Sequence, residues 1–241
     1  MAHQLETEVF YPESDGQPVG ETDVHRQLLM DLVFALSRHF ADHPDTYVTG
    51  NLFLYYVKGN PRQVVCPDVC IAFDSTKRLR NIYQTWRDGP FPQVIIELTS
   101  ASSRAEDLGP KRELYERLGT LEYYLFDPHF DPGVAEPDAV EEPGDLRRFS
   151  RPTADLPLGP AETVTPGAVL HSPALGLGFT VSGRALRVID EATGQLLPTA
   201  EEEAEARQAE AEARQAAEIW AQELADEVAR LRAELERRTR Q

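Results

Sequence analysis

The sequence predicts a mixed α/β domain, a mixed β-sheet with helices against it, followed by a C-terminal coiled-coil helix. Three observations carry this reading. A helical pattern is followed by several strand-like runs, a second helix and another strand, an order that builds a mixed sheet flanked by helices. One of those runs, residues 93–99, is short, apolar and β-branched, as a central buried strand should be. Beyond Pro198 the composition changes abruptly to Ala, Glu, Arg and Gln, and the segment AEARQAE is followed at once by AEARQAA. The expected boundaries are therefore a domain over residues 1–198 and a helix over residues 199–241.

Taken in order, Leu28, Leu29, Leu32, Val33, Leu36 and Phe40 recur at helical spacing, so a helix is expected over residues 22–41, capped by Thr22 or Asp23. Residues 46–49 and 52–57 read as a hairpin turned at Gly50-Asn51. Residues 64–73 read as a strand pair or one kinked strand, because Pro67 confines the middle to an edge, a strand start or a bulge. Ser103 followed by Glu106 resembles a capping box, and Gly119 stops the helix that runs to Leu118. Residues 122–126 form the next strand. The Pro-, Gly- and acid-rich stretch 128–160 reads as a long loop with a strand near Arg147. A hairpin follows over 178–181 and 185–189, turned at Ser182-Gly183. In the tail, Ala217, Ala221, Leu224, Val228, Leu231 and Leu235 alternate spacings of four and three, which is a coiled-coil seam.

Composition sets limits. With 241 residues the chain has room for one sizeable core plus an appendage. No window approaches the ~18 consecutive apolar residues of a membrane span, and MAHQLETEVF lacks the basic-then-apolar order of a secretory signal. A cytoplasmic location is the expectation. Cys66 and Cys70 lie four apart in an expected strand, too far to bridge and without a second ligand pair for zinc, so they read as small core residues. The formal charge of −17 speaks against a nucleic-acid partner, but it is unevenly spread. Residues 46–127 carry ten Lys and Arg against ten Asp and Glu. Within them Lys77, Arg78, Arg80 and Arg87, interleaved with Tyr83 and Trp86, form a basic segment that could grip a phosphate backbone or could be a solvated loop.

Three charged residues sit where burial is expensive. Asp68 follows Pro67 between apolar stretches, and Glu97 closes the run Val94-Ile95-Ile96. Lys111, Leu114, Tyr115 and Leu118 share one helix face, which puts the lysine ammonium on the sheet-facing stripe. Two carboxylates on neighbouring strands can hold Mg²⁺ or Mn²⁺, with the Leu98 carbonyl as a third ligand. A nearby lysine can orient or deprotonate water and stabilise the developing phosphorane charge. Those are the parts of a phosphodiester hydrolase. The bland alternative makes Asp68 a turn former and Glu97–Lys111 a buried salt bridge. Glu21 and His25 continue the core-facing stripe of the first helix, and Glu21 could reach the metal from the side, although residues at a helix start more often serve the cap or the dipole.

Pro67-Asp68, then ELTS from Glu97, then Asp107 to Lys111 and Tyr115, then GTLEYYLFDP resemble the Uma family, of the Uma-two type, of restriction-endonuclease-like proteins. YPESDGQPVGETDVH near the start and LGLGF and RALRVIDEATGQLLPT later are similar to it as well. The resemblance covers roughly residues 10–200. It implies the restriction-endonuclease-like fold of the PD-(D/E)XK nucleases, with metal held by the Asp and the Glu. The position two after Glu97 is Thr99, so the resemblance carries the lysine role to Lys111 on the following helix. Two function classes follow: a metal-dependent DNA endonuclease using Asp68, Glu97 and Lys111, or a catalytically silent nuclease-fold scaffold that assembles partners through its tail. The tail itself is expected to pair as a homodimer or with a partner helix over residues 200–238.

Overall fold

The computed structural model describes residues 9–14, 22–99, 103–128, 144–165 and 167–239. It is a mixed α/β structure. The chain divides into two compact units, Met1–Leu197 and Pro198–Gln241. In the first unit, α1 (Asp23–His39) is followed by five strands, β1 (Tyr47–Gly50), β2 (Leu54–Tyr55), β3 (Val64–Val65), β4 (Val69–Ala72) and β5 (Tyr83–Gln84). Strand β6 (Val94–Leu98) then leads into α2 (Arg104–Glu106), a π-helical turn (Asp107–Lys111) and α3 (Arg112–Leu118). The rest is β7 (Glu122–Asp127), β8 (Asp145–Ser150), β9 (Glu162–Thr163), β10 (Val169–Ser172), β11 (Leu177–Ser182), β12 (Ala185–Asp190) and β13 (Gln195–Leu196). The second unit contains α4 (Ala200–Thr239).

The main sheet has the order β1-β4-β6-β7-β8-β9. Strand β6 lies inside it, antiparallel to β4 and parallel to β7, and all five of its residues are buried. Side chains alternate across it. Val94, Ile96 and Leu98 join a core with α1 and with the second sheet, β10-β11-β12-β13. Ile95 faces the other way, into a core built with Cys70, Tyr115, Tyr123 and the small sheet β3-β2-β5. The parallel β6–β7 pair needs a crossover, and the helical stretch from Arg104 to Leu118 supplies it.

Helix α1 starts where the cap predicts: the Thr22 hydroxyl accepts the His25 N–H at 3.1 Å. At its other end Lys77 donates to the carbonyls of Phe40 and Ala41, groups a helix leaves unpaired. The expected hairpin at Gly50-Asn51 does not form. Strand β1 pairs with β4 instead, and β2 leaves for the small sheet. Asn51 does take the left-handed conformation a tight turn requires, φ +48°, but spends it on sending its N–H to the carbonyls of Pro67 and Asp68 at 3.1 Å each. Burial of the VCIA strand against β1 outweighs the local turn signal.

Residues 64–73 are two strands in different sheets, broken at Pro67 as its missing N–H dictates. Cys70 is buried in β4, whereas Cys66 is half-buried and outside any strand, so only one of the two is a core residue. The capping box is absent too: Ser103 has helical φ and ψ and no capping bond, and its hydroxyl lies 3.2 Å from that of Thr99. The later hairpin is present as β11–β12, with Ser182 paired to Ala185, so its loop is Gly183-Arg184, one residue beyond the expected turn. Gly183 supplies the positive φ there. Strand β8 accounts for the strand near Arg147, while residues 129–143 of the expected long loop lie outside the described residues.

Gly50 is the closest approach of β1 to the Pro67-Asp68 corner. A Cβ on it would stand 2.5 Å from the Asp68 carbonyl oxygen and 3.0 Å from Val33 Cγ2. Gly50→Ala should therefore destabilise the domain by about 1–3 kcal/mol, the usual penalty for overpacking. Calorimetry checks this, and an unchanged melting temperature would mean that the corner can shift freely.

Candidate active site

Asp68 and Glu97 meet where β4 begins and β6 ends. Because the two strands are antiparallel, with Val69 opposite Ile96, the residue before Val69 comes beside Glu97. The backbone locks them together reciprocally. The Leu98 N–H donates to Asp68 Oδ2 at 2.8 Å, and the Asp68 N–H donates to Glu97 Oε2 at 3.3 Å. From α1, His25 Nε2 stands 3.3 Å from Asp68 Oδ1. Glu97 points to the side of the sheet that holds Tyr115, whose hydroxyl donates to Glu97 Oε1 at 2.7 Å.

Lys111 completes the cluster, with its ammonium 3.3 Å from Glu97 Oε1 and 2.9 Å from Asp107 Oδ1. Its position comes from an unusual piece of helix. Pro110 lies inside the helical stretch, where it has no N–H to donate and its ring crowds the preceding turn. The chain answers by widening to a π-turn over Asp107–Lys111 before α3 resumes the ordinary pitch. Lys111 is the last residue of the widened turn. Its side chain keeps 26% of its exposure and so is partly open to solvent.

Electrostatics set the character of the site. Three carboxylates, Asp68, Glu97 and Asp107, share one lysine, and Glu97 is only 1% exposed. Burial, reinforced by the charge on Asp68, raises the Glu97 pKa well above the ordinary carboxylate value, against the pull of Lys111 and the Tyr115 hydroxyl. Burial alone would lower the Lys111 pKa, but Glu97 and Asp107 outweigh it and hold the lysine above its usual value, so it stays charged. Burial also raises the Tyr115 and Tyr123 phenols, which remain neutral donors.

The structure brings Asp68, Glu97, Leu98 and Lys111 together. Glu21 lies outside the described residues. The basic segment goes elsewhere: it leaves β4 after Ala72 and enters β6 before Val94, the strand ends opposite those bearing the carboxylates, about 13 Å away along β6. Its cations have internal partners. Lys77 caps α1, Arg78 and Arg87 both pair with buried Asp88, and the Arg80 guanidinium sits 4.0 Å above the Tyr47 ring. Antiparallel strands send their connection to the end away from the carboxylates, so this segment does not reach them.

Two members of the cluster escaped the reading of single residues. Asp107 stands four before Lys111, an ion-pair spacing on a helix, and the apolar stripe accounts for the ring of Tyr115 but not for its hydroxyl, the part that reaches Glu97. Among the described residues no group of three or more His, Cys, Asp or Glu side chains is arranged to hold a metal ion. Two carboxylates with backbone oxygen do suit a hard cation that keeps several of its waters, and the surplus negative charge at Glu97 is what such a cation would neutralise.

The chain belongs to the Uma2 family, described as "Putative restriction endonuclease", whose model matches residues 2–181. Among solved structures the chain is similar to one described as a "putative nuclease belonging to DUF820" from Anabaena variabilis, at 14% identity and a TM-score of 0.46, over 66% of this chain and 76% of that one. No curated protein matches the chain. Among the described residues no helix is long and apolar enough to cross a membrane.

A buried carboxyl whose pKa is raised binds its proton more tightly in the folded than in the unfolded state. Its contribution to stability therefore falls as pH rises from about 4.3 through the folded value. Glu97→Gln keeps an acceptor for Tyr115 but never ionises. In chelator, this variant should gain on the parent between pH 5 and pH 8 by on the order of 1–2 kcal/mol. Thermal melts at both pH values test it, and a variant less stable at pH 8 than at pH 5 relative to the parent would show that Lys111 accommodates the charge fully.

Proposed function

We propose that this protein is a Mg²⁺- or Mn²⁺-dependent endonuclease that hydrolyses DNA phosphodiester bonds. The observation that carries the reading is the convergence of Asp68, Glu97 and Lys111 on one point at the ends of two central strands, with both carboxylates held by main-chain N–H groups. Asp68, Glu97 and the Leu98 carbonyl are the groups that would hold the cation. When bound, it would supply Lewis-acid stabilisation of the charge on the phosphoryl oxygens.

The chain's own residues do the rest. The Leu98 N–H fixes one oxygen of the Asp68 carboxylate, with His25 Nε2 3.3 Å from the other, so its orientation is set before any ligand arrives. Tyr115 fixes one oxygen of Glu97. Lys111, charged and partly open to solvent, can hold a water by hydrogen bond beside the carboxylates and present a positive group to the pentacovalent phosphorus. Strands β6 and β7 run parallel, so Thr99, Arg104 and Asp127 come to the same end of the sheet, joined from β8 by Asp145 and Arg147. Arg104 and Arg147 pair with Asp127 and Asp145. Lying at the carboxylate end of the sheet, these two guanidinium groups would be the cations nearest flanking phosphates in this reading.

The family's description supports a nuclease, and the main alternative is a silent scaffold in which Glu97–Lys111 is only a buried salt bridge. Incubating the purified chain with plasmid and with single-stranded DNA, in Mg²⁺ or Mn²⁺, separates them. The parent should cut and Asp68→Ala should not. Lys111→Ala should lose cleavage by about 100-fold or more while still binding Mn²⁺ by calorimetry. Normal cutting by Lys111→Ala would remove the lysine from the mechanism, and a parent that neither binds Mn²⁺ nor cuts would leave the scaffold.

A further inference from the structure

Helix α4 runs for 40 residues, and along its second half the large apolar side chains remain open to solvent. Trp220, Leu224, Val228, Leu231 and Leu235 are between 39% and 67% exposed. An apolar stripe of that length in water is a contact surface lacking its partner. We propose that the partner is a second copy of this chain, joined through residues 217–235 as a parallel two-stranded coiled coil.

The heptad register follows from the spacings. Ala221, Val228 and Leu235 occupy the a positions, and Ala217, Leu224 and Leu231 the d positions. A β-branched residue at a between leucines at d is the pattern that favours two parallel strands. The flanking positions select the orientation and the occupant. Glu227 falls at g and Arg232 at the following e, so in a parallel pair each Glu227 meets Arg232 of the other copy, twice by symmetry. In an antiparallel pair g faces g, which would set Glu227 and Glu234 against glutamates of the other copy.

Trp220 is also at g and meets the small Ala225 at e, where its ring can lie over the seam. The Glu227–Arg232 and Trp220–Ala225 pairs thus favour the parallel orientation. Toward the start of the helix the same positions fall on Arg207, Glu210 and Arg214, so the contact begins near Ala217. Ile219 lies on the outer face at f and stays exposed in this arrangement.

Sedimentation velocity of the full chain at tens of micromolar should show a dimer, and Leu224→Asp with Leu231→Asp should convert it to monomer. Glu227→Arg and Arg232→Glu should each weaken the dimer roughly three- to tenfold, and the two together should restore it. Leu235→Cys should give a covalent dimer under mild oxidation beyond that of the parent, whose Cys66 and Cys70 serve as the control. The proposal is overturned by a monomer at every concentration, as a fold-back or a foreign partner would give, or by a dimer indifferent to the two aspartates. It is equally overturned if the charge exchange fails to restore association, or if Leu235→Cys does not cross-link, as antiparallel helices would require.

Discussion

Glu97 is a carboxylate at the end of an interior strand, almost without solvent, and the residues around it are arranged to tolerate its charge. An isolated buried carboxylate is among the most expensive groups a protein can hold. Here Tyr115 and the Asp68 N–H donate to it and Lys111 lies beside it, but Asp68 adds a second negative charge at the same place. The strand register that puts Asp68 next to Glu97 is the same register that buries Val69 and Ile71 against Ile96 and Val94. The core packing and the concentration of negative charge are therefore set by one strand register.

A second buried acid in the same sheet shows what a purely structural solution looks like. Glu122, on β7, accepts from the hydroxyls of Tyr124 and Ser172 and from the N–H of Ala174. Neutral donors surround it, and none of its hydrogen-bond partners is a second carboxylate. At Glu97 the neighbours are a lysine and two acids, so like charge is concentrated there and the carboxyl holds its proton more tightly than usual. Both residues sit among apolar and aromatic neighbours in sequence, so the sequence does not distinguish them. The difference lies in donors brought from β10 and its following turn, some 50 positions away along the chain.

Elements whose signal is local are legible in the sequence: α1 with its Thr22 cap, β6 as an interior strand, the stop at Gly119 and α4 with its stripe. Asp68, Glu97 and Lys111, which the structure brings together, are legible for the same reason, because apolar context marks each of them out separately. What was not legible depends on pairing. Gly50-Asn51 carries a hairpin signature yet serves to pin the Pro67-Asp68 corner, and Ser103-Glu106 carries a capping signature that the chain does not use. The Lys77–Arg87 loop connects the two strands of the site but lies at their other ends. Only the antiparallel sense of β4 and β6 reveals that, and strand sense is not written in composition.

The widened turn at Asp107–Lys111 separates two requirements that a regular helix would tie together. In an unbroken α-helix the direction of Asp107 and the packing face of α3 are locked in phase, since each residue advances the side chains by a fixed angle. The extra residue in the turn shifts that phase, so Lys111 and Tyr115 stay on one face of α3 and meet Glu97 together, with Tyr115 seated against Phe91 and Tyr123, while Asp107 is brought to Lys111 from the turn before. The stretch before Pro110 can thus change its direction without unseating the helix that carries Lys111 and Tyr115.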